Sequence, residues 1–292
     1  MADVALEAGK ERSRARRATP PRKHIGRVVT TLFALLIFLT VLFPLAWMVM
    51  AGFKGRDEVL RSPFQFFPDT WDPKNYVAIA KDPVFARAMI VTFIGAVIFT
   101  LLSLFVNSLA AYAFARLDFK FKRFWFVICM IPMFVPMMAI LLTSFVVVTK
   151  LHMLNTMAVL IIPGVASSFQ MFFLRQFYLN YPAAVEEAAL IDGASRFQIY
   201  LRIFLPQSKA PFVVVGTASF LAYWNSYVWP VLTITDPKLT QIMQVLGNFR
   251  SDRGNDWGLL MAGSTIAALP TIILLLIFSR YIVNGVRIAG MK

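Results

Sequence analysis

The sequence predicts an all-α membrane protein that crosses the bilayer six times, and two features support this. The 292 residues are 59% hydrophobic and 15% charged, with a mean hydropathy of +0.68, which is more apolar surface than a soluble core of this size buries. The apolar residues also form six long blocks without Asp, Glu, Lys or Arg. Each block has at least 23 residues, and about 20 helical residues cross a hydrocarbon core of ~30 Å. A β-barrel would need short alternating segments instead.

The predicted spans follow these blocks, because one charge at the centre of a helix adds roughly 2.5–3.5 kcal/mol to the cost of insertion. They cover about 28–50, 88–114, 124–148, 156–178, 210–233 and 258–280. The chain is thus divided into a basic tail (1–27), a transmembrane domain (28–284) and a C-terminal tail (285–292). Prolines interrupt two spans, at IPMFVP in the third and at Pro163-Gly164 in the fourth. They indicate either a gate or cavity-lining bend, or ordinary irregularity of packing.

The distribution of basic residues predicts which loops face the cytoplasm. Both tails and the loops 116–123 and 175–209 together carry 19 basic and seven acidic residues, whereas the alternate loops carry ten and eight. The positive-inside rule therefore places both termini in the cytoplasm. The tail KERSRARRATPPRK could also bind nucleic acid or anionic lipid. We favour a disordered tail that fixes orientation, and we predict membrane lipid but no nucleic acid as a partner.

The composition argues against several kinds of chemistry. The sequence has two histidines, His24 and His152, and one cysteine, Cys129, and no predicted span carries an acid. We therefore expect neither a metal site nor a proton relay in the membrane. It also lacks a GxxxxGK[ST] loop, which is one route to ATP binding. We therefore predict no catalytic residue, metal or cofactor in this chain. Energy for uphill transport would have to come from another protein.

The segment EEAALIDGASRFQIYLRIFLP, at 186–206, is charged and lies between two apolar blocks. Its five charges forbid spanning, at a combined cost above roughly 10 kcal/mol. Pro182 and the following AAVEEAALI favour a helix, Asp192-Gly193 breaks it, and a second helix runs to Pro206. The pattern predicts two short helices joined by a tight bend at the cytoplasmic surface. They either form an interfacial hairpin that only links two spans, or dock into a groove of a soluble partner.

This segment resembles the EAA loop of binding-protein-dependent ABC importer permeases, whose pattern is EAAxxDGAxxxxxFxxixLP. The residues that match are Glu187, Ala188, Ala189, Asp192, Gly193, Ala194 and Pro206, and Phe197 stands for the aromatic that opens the second helix. FLAYWNSYVWPV, at 220–231, resembles a Trp-Asn and Trp-Pro pattern of the sugar-importing subgroup. The end, GVRIAGMK, is similar to that subgroup's glycine-rich tail but departs from it at Arg287 and Met291.

The resemblance implies a type I ABC importer permease fold, similar to the smaller permease of the maltose transporter type, in a bacterial inner membrane. It also implies three partners: a second, distinct permease, a cytoplasmic ATPase dimer that binds ATP and magnesium, and an external solute-binding protein. Segment 182–206 would be the coupling loop, in which Glu187 pairs with a basic residue of the ATPase and Gly193 permits the turn. The implied coupling residues are Glu186, Glu187, Ala188, Ala189, Asp192, Gly193, Ala194, Phe197 and Pro206.

Two further groups of residues are candidates for contact with solute and binding protein. Tyr223, Trp224, Asn225 and Tyr227 form a candidate sugar pathway, although aromatics near span ends are also the usual interfacial belt. In the external loop 236–256, the candidate contacts with the binding protein are Gly247, Asn248, Arg250, Arg253 and Gly254. The loop would otherwise be a plain solvated connector.

The sugar itself is not identified by the sequence. Two arginines in the external loop, Arg250 and Arg253, are compatible with an anionic glycan such as an alginate oligosaccharide. Two other functions are alternatives. One is an ion-coupled secondary transporter, which would need acids near the membrane midplane, and the other is a membrane scaffold protein.

Overall fold

The computed structural model describes residues 21–55, 57–61, 63–251 and 256–290, with side chains described for these except at 21–25, 250, 251 and 282–290. Every regular element in these residues is helical, which confirms the predicted all-α class. Residues 1–20 of the basic tail, Arg253 and Gly254 of the external loop, and Met291 lie outside the described part.

The helices, in chain order, are α1 (Pro21–Ala51), α2 (Lys74–Lys81), α3 (Pro83–Arg116), α4 (Lys122–Met130), α5 (Met137–Lys150), α6 (Met157–Ile161), α7 (Ser168–Leu179), α8 (Ala183–Ile191), α9 (Arg196–Ile199), α10 (Leu205–Gln207), α11 (Lys209–Trp224), α12 (Val228–Thr233), α13 (Ile242–Ser251) and α14 (Trp257–Gly290). Short 3₁₀ stretches extend two of them, at Ile131–Phe134 after α4 and at Ile162–Gly164 after α6. A π-helical stretch, Tyr200–Phe204, joins α9 to α10.

Three described helices contain a stretch long and apolar enough to cross a membrane, namely α1, α3 and α14. Two bent pairs pass the same test: Lys122–Phe134 with Met137–Lys150 bends by 105°, and Met157–Gly164 with Ser168–Leu179 by 48°. Both bends coincide with the prolines noted in the sequence, since proline removes a helical hydrogen bond. The predicted span 210–233 holds two helices, α11 and α12. Helix α11 has 16 residues and is therefore about 24 Å long, shorter than a ~30 Å core.

Helix α3 is the central element, because it packs against both α7 and α11 and contributes to two separate hydrophobic cores. The core near its start includes Phe85, Phe99, Val159, Trp224 and Ile242. The core near its end includes Tyr112, Leu174, Tyr178, Tyr200 and Phe204. Buried polar residues of α3 lie between the two cores.

These polar residues satisfy the backbone at the 48° bend. The carbonyl oxygen of Val165, in the break between α6 and α7, accepts hydrogen bonds from Ser103 Oγ at 3.0 Å and from Asn107 Nδ2 at 2.8 Å. The oxygen of the same Asn107 amide accepts from the backbone N–H of Ser167 at 2.8 Å. Backbone groups freed by a bend must find partners inside the protein when water is absent. Asn107 therefore stabilises the bent geometry.

Gln170 extends this network to a third helix. It lies in the first turn of α7 and is buried, and its Nε2 donates to Ser219 Oγ of α11 at 2.8 Å. Its Oε1 lies 2.9 Å from Ser103 Oγ of α3. Three helices are thus joined by side-chain hydrogen bonds at one level of the molecule.

Replacing Asn107 with leucine, which has a similar shape, tests this account. The carbonyl of Val165 then loses one of its two side-chain donors and the N–H of Ser167 loses its acceptor, at an expected cost of about 1–3 kcal/mol in stability. The measurement is the thermal unfolding midpoint of the purified protein in detergent.

Thr100→Val on the same helix is the matched control. The Thr100 hydroxyl donates only to the carbonyl of Ala96 in its own helix, at 2.7 Å, so we expect a change of about 0.5 kcal/mol or less. Equal destabilisation by the two substitutions would contradict the role assigned to Asn107.

Candidate functional site

The charged segment 182–206 folds as the sequence predicts, as two helices joined by a tight bend. Helix α8 begins at Ala183, with Pro182 as the residue before it, and ends at Ile191, with Asp192 as its C-cap. Gly193 then takes a left-handed backbone conformation, with φ of 82°. The N–H groups of Gly193 and Ala194 donate to the carbonyls of Leu190 (3.0 Å) and Ala189 (2.9 Å), the pattern of a Schellman C-cap. Glycine suits this position because it lacks the Cβ that disfavours positive φ.

The second helix has its own start signal and an unusual continuation. Ser195 Oγ accepts from the N–H of Gln198, whose side chain accepts in return from the N–H of Ser195, which is a capping box. After α9 the chain passes through the π-helical stretch Tyr200–Phe204. Single π-helical turns are often found at functional sites.

The first glutamate of the segment, Glu186, points into the protein. Its side chain is 8% exposed and forms ion pairs with two arginines. Arg196 Nη1 lies 2.5 Å from its Oε1, and Arg116 Nη1 lies 3.8 Å from its Oε2. A buried carboxylate needs such partners because desolvation disfavours its charged form. The negative charge of Glu186 is therefore already balanced by arginines of this chain.

The segment rests on an aromatic base supplied by the second core. The rings of Tyr112 and Tyr178 lie 5.0 and 5.4 Å from the ring of Phe204, centroid to centroid. Tyr200 is fully buried, and its hydroxyl lies 2.6 Å from Ser108 Oγ of α3. Burial raises the pKa of Tyr200, although the hydrogen bond with Ser108 acts in the opposite direction. Tyr200 therefore stays a neutral phenol that fixes the segment against α3.

The opposite side of the segment is open. Its exposed candidates are Glu187, Ala188, Asp192, Gly193, Phe197 and Pro206, whereas Ala189 and Ala194 are partly buried against the second core. The two most exposed large apolar side chains of the segment are Ile191, at 86%, and Phe197, at 54%. The segment thus presents an acid, a small residue and apolar groups on one open surface.

The candidate pathway residues separate in the structure. Tyr223 lines a cavity of about 330 Å³, together with Phe99, Trp229, Gln170 and Gln241. The hydroxyl of Tyr223 is buried without a hydrogen-bond partner among the described residues.

The other three pathway candidates do not line this cavity. Trp224 is buried, stacks on Phe220 with ring centroids 5.6 Å apart, and donates from Nε1 to the carbonyl of Ala267 at 3.2 Å. Asn225 and Tyr227 are exposed beyond the end of α11. The structure therefore brings one of the four candidates to the cavity, and Trp229 lines it as well.

The loop 236–256 contains an ordered helix, α13. Its residues Ile242, Val245, Leu246 and Phe249 are buried in the first core. The N–H of Ile242 donates to Thr92 Oγ1 of α3 at 2.8 Å. Gly247 and Asn248 lie on this helix, and Asn248 is exposed. The loop is thus fixed to the helices beneath it rather than being a freely solvated connector along its described length.

Arg116 is the site residue that reasoning from sequence missed. In the sequence, Arg116 counted only as one of the basic residues of the loop 116–123 that indicate orientation. The structure shows it inside the site, in contact with Glu186. A signal was present, since an arginine that ends an apolar helix beside a charged, partly buried segment is placed to pair with it.

In the described residues no group of three or more His, Cys, Asp or Glu side chains is placed to hold a metal ion.

Comparison with known sequences shows the family of this chain. Residues 103–288 match the family described as binding-protein-dependent transport system inner membrane component. The chain is 33% identical over 279 residues to the probable ABC transporter permease protein YurM of Bacillus subtilis, which covers 94% of this chain and 91% of YurM. It is 29% identical over 278 residues to the arabinooligosaccharides transport system permease protein AraQ of the same bacterium (93% and 98% covered), and 30% identical over 279 residues to the trehalose/maltose transport system permease protein MalG of Thermococcus litoralis (92% and 98% covered).

Comparison with solved structures gives the same fold. A chain of a bacterial ABC transporter involved in the import of the acidic polysaccharide alginate superposes with a TM-score of 0.78 at 19% identity, covering 91% of this chain and 99% of that one. A chain of a bacterial alginate ABC transporter in complex with an alginate pentasaccharide-bound periplasmic protein gives 0.61 at 16% identity, covering 89% and 96%. The chain therefore has the type I ABC permease fold and belongs to the family of binding-protein-dependent transport system inner membrane components, the permeases of ABC transporters.

Proposed function

We propose that this chain forms half of the transmembrane pathway of a sugar or oligosaccharide importer in a bacterial inner membrane. A second, distinct permease supplies the other half, and an external solute-binding protein delivers the sugar. A cytoplasmic ATPase dimer binds ATP and magnesium and drives the cycle through segment 182–206. In this arrangement the present chain carries no catalytic residue of its own.

Six spans with both termini in the cytoplasm complete this proposal. We assign one crossing to each of the three long apolar helices and one to each of the two bent pairs, which pass the same test of length and composition. We assign the sixth to α11 and α12 together, because the short α12 extends beyond the end of α11. This topology puts segment 182–206 on the side that carries 19 of the 29 basic residues, which is the cytoplasmic side by the positive-inside rule.

The open surface of segment 182–206 is the observation that carries the proposed contact with the ATPase. Glu186 is neutralised by arginines of this chain, whereas the neighbouring Glu187 is exposed. Ala188 beside it is small enough to permit close approach, and Ile191 and Phe197 offer apolar area that a partner would cover. A short helix with this composition fits a groove that carries a basic residue opposite Glu187.

Removing the charge or the apolar group from this surface tests the contact. We expect Glu187→Ala and Ile191→Asp each to reduce the ATPase that copurifies with a tagged chain by at least about tenfold, which corresponds to about 1.4 kcal/mol of lost binding. The measurement is the molar ratio of ATPase to permease in complexes purified from detergent-solubilised membranes.

Asp118→Ala provides the matched control. Asp118 is a fully exposed acid in a neighbouring loop that the topology places on the same side, and its pair with Lys122 is a surface ion pair of little energetic weight. We expect this variant to retain the wild-type ratio. A wild-type ratio in both Glu187→Ala and Ile191→Asp would rule out this surface as the ATPase contact.

The substrate class follows from the relatives and from the cavity. AraQ and MalG are named for arabinooligosaccharides and for trehalose or maltose, and we infer a saccharide here too. The cavity combines the aromatic rings of Phe99, Tyr223 and Trp229 with the amides of Gln170 and Gln241. Aromatic rings pack on the apolar faces of sugars, while amides and hydroxyls bond to their hydroxyl groups.

Tyr223→Phe separates a role in transport from a role in folding. The Tyr223 hydroxyl has no partner among the described residues, so its removal should leave the thermal midpoint nearly unchanged. The hydroxyl is buried in this structure, so it bonds to a passing sugar only where transport uncovers it; uptake should then weaken by about two- to twelvefold, the loss of one neutral hydrogen bond. The measurement is uptake of radiolabelled arabinotriose, maltose and trehalose into cells that produce the whole transporter.

Trp224→Phe is the comparison variant for this test. It removes the bond to the carbonyl of Ala267 and part of the stack on Phe220, so it should lower the thermal midpoint. Uptake at the wild-type rate by Tyr223→Phe for every sugar that the wild type imports would remove this hydroxyl from the pathway.

We further propose that α13 is part of the surface that meets the binding protein. Its exposed Asn248 and the adjacent Gly247 lie on a helix whose other face is buried in the first core. A helix fixed in this way presents a defined shape to a partner, which a free loop would not. Arg250, Arg253 and Gly254 complete the proposed contact.

A further inference from the structure

The last residue of α3 is an arginine that contacts four separate parts of the chain. The side chain of Arg116 is 11% exposed. Its Nη2 donates to the carbonyl oxygen of Tyr178, at 2.5 Å, and to that of Tyr181. Its Nη1 lies 3.8 Å from Oε2 of Glu186, and its Cζ lies 5.3 Å from the centroid of the Phe204 ring. One guanidinium therefore bridges α3 to the end of α7, to α8 and to the π-helical stretch.

The geometry depends on the guanidinium group. Tyr178 is among the last residues of α7, where the carbonyl groups have no partner within the helix, point out of its C-terminal end and attract cations. Tyr181 lies between α7 and α8, and Glu186 is in the first turn of α8. A planar fork with five N–H donors can serve these acceptors at once, which a single ammonium on a flexible chain cannot.

The two arginines that pair with Glu186 have different effects. Arg196 belongs to α9, so its ion pair closes the bend between the two short helices of the segment itself. Its side chain is 49% exposed, and solvent screens the pair. Arg116 belongs to α3, so its ion pair with Glu186 joins the segment to the transmembrane helices. Both side chains of this pair are largely buried, with 11% and 8% exposed. Within this cluster, the Arg116 pair is the one that connects segment 182–206 to α3.

We propose that Arg116 is a positioning residue for energy coupling, which fastens α8 to α3 and α7 so that a displacement of the segment moves these helices with it. The inference rests on the proposed function, in which the ATPase displaces segment 182–206. A chain without the fastening still presents Glu187 and Ile191 to the ATPase. Its π-helical stretch is still held to α3 by Tyr200 and Ser108, but α8, which carries Glu187 and Ile191, then moves without carrying α3, and ATP binding changes the cavity much less.

The proposal is tested by measuring whether nucleotide changes the accessibility of the cavity, and this test does not require the sugar to be known. A cysteine is introduced at Ser226, which lines the cavity, in a chain where Cys129 is replaced by serine. The whole complex is purified through a tag on this chain and reconstituted in liposomes. The rate of labelling by a water-soluble maleimide is then measured without nucleotide and with MgATP and vanadate. The ratio of the two rates is the nucleotide response.

We expect Arg116→Gln to bring this ratio towards one, so that the nucleotide response is at least about fivefold smaller than in the unsubstituted chain. The amount of bound ATPase and the basal rate of ATP hydrolysis should change much less, because the docking surface is intact. This split between hydrolysis and cavity response is what a merely structural role would not produce.

Arg175→Gln is the matched control. Arg175 is also a half-buried arginine near the end of α3, where its Nε donates to the carbonyl of Phe114 at 3.2 Å and its guanidinium lies 4.3 Å from the ring of Phe126. These contacts join α7 to α3 and α4 and leave segment 182–206 aside. We expect a response within about twofold of the unsubstituted chain.

The outcomes separate the inference from the function on which it rests. If no ATPase copurifies with the unsubstituted chain, or its labelling does not respond to nucleotide, the proposed function fails and this inference with it. If the unsubstituted chain responds and Arg116→Gln responds equally, only the inference is overturned.

A second variant covers the case in which Arg116→Gln does not assemble. Glu186→Gln keeps the size of the side chain and leaves the bonds of Arg116 to Tyr178 and Tyr181 in place, while it removes the ion pairs with both Arg116 and Arg196. It should show the same loss of response, and a full response would overturn the inference. Failure of both variants to assemble, with Arg175→Gln intact, would also overturn it, because the role of Arg116 would then be in folding.

Discussion

Polar groups that have left water must find partners inside the protein, and two regions of this chain are arranged around that requirement. In the middle of α3, Asn107 supplies an acceptor and a donor to a bent backbone. At its end, Arg116 supplies a cation to a buried carboxylate, Glu186, and to the terminal carbonyls of α7. The bend and the attachment of the charged segment thus have the same physical cause.

This requirement gives α3 a divided character. Its apolar residues contribute to two cores, one that also holds α13 and one that holds the π-helical stretch. The polar level between them, with Ser103, Gln170 and Ser219, links three helices. A helix that is anchored in both cores and fixed at its centre is suited to act as one rigid body between them. Segment 182–206 is attached at one end of this body.

Features that depend on local sequence could be predicted well, and those that depend on tertiary contacts could not. The bend at Gly193 was predictable because a Gly after a helix-forming run is a local signal. The inward orientation of Glu186 and the outward orientation of Glu187 were not, because adjacent residues on a short helix carry the same chemistry and only the position of Arg116 distinguishes them.

The same limit explains the candidate pathway. Trp224 and Tyr223 are neighbours in an aromatic sequence, yet one packs on Phe220 and the other reaches the cavity, because α11 turns their side chains to different sides. The apolar residues of α13, Ile242, Val245, Leu246 and Phe249, have the spacing of one helix face, but the sequence does not show what covers that face, which is the first core. The prolines located the bends, whereas the angles of 48° and 105° come from packing.

The polar level of α3 also has a consequence for biosynthesis. The chain leaves the ribosome from its N-terminus, so Ser103 and Asn107 enter the membrane before the bend that contains Val165 and Ser167. Partners for the exposed backbone groups are therefore already in the bilayer when the bent segment arrives. Ser219, which completes the network, comes last. Until then the side chains of Ser103 and Asn107 lack these partners, and the insertion of α3 depends on its apolar residues, which by themselves make a stretch long and apolar enough to cross a membrane.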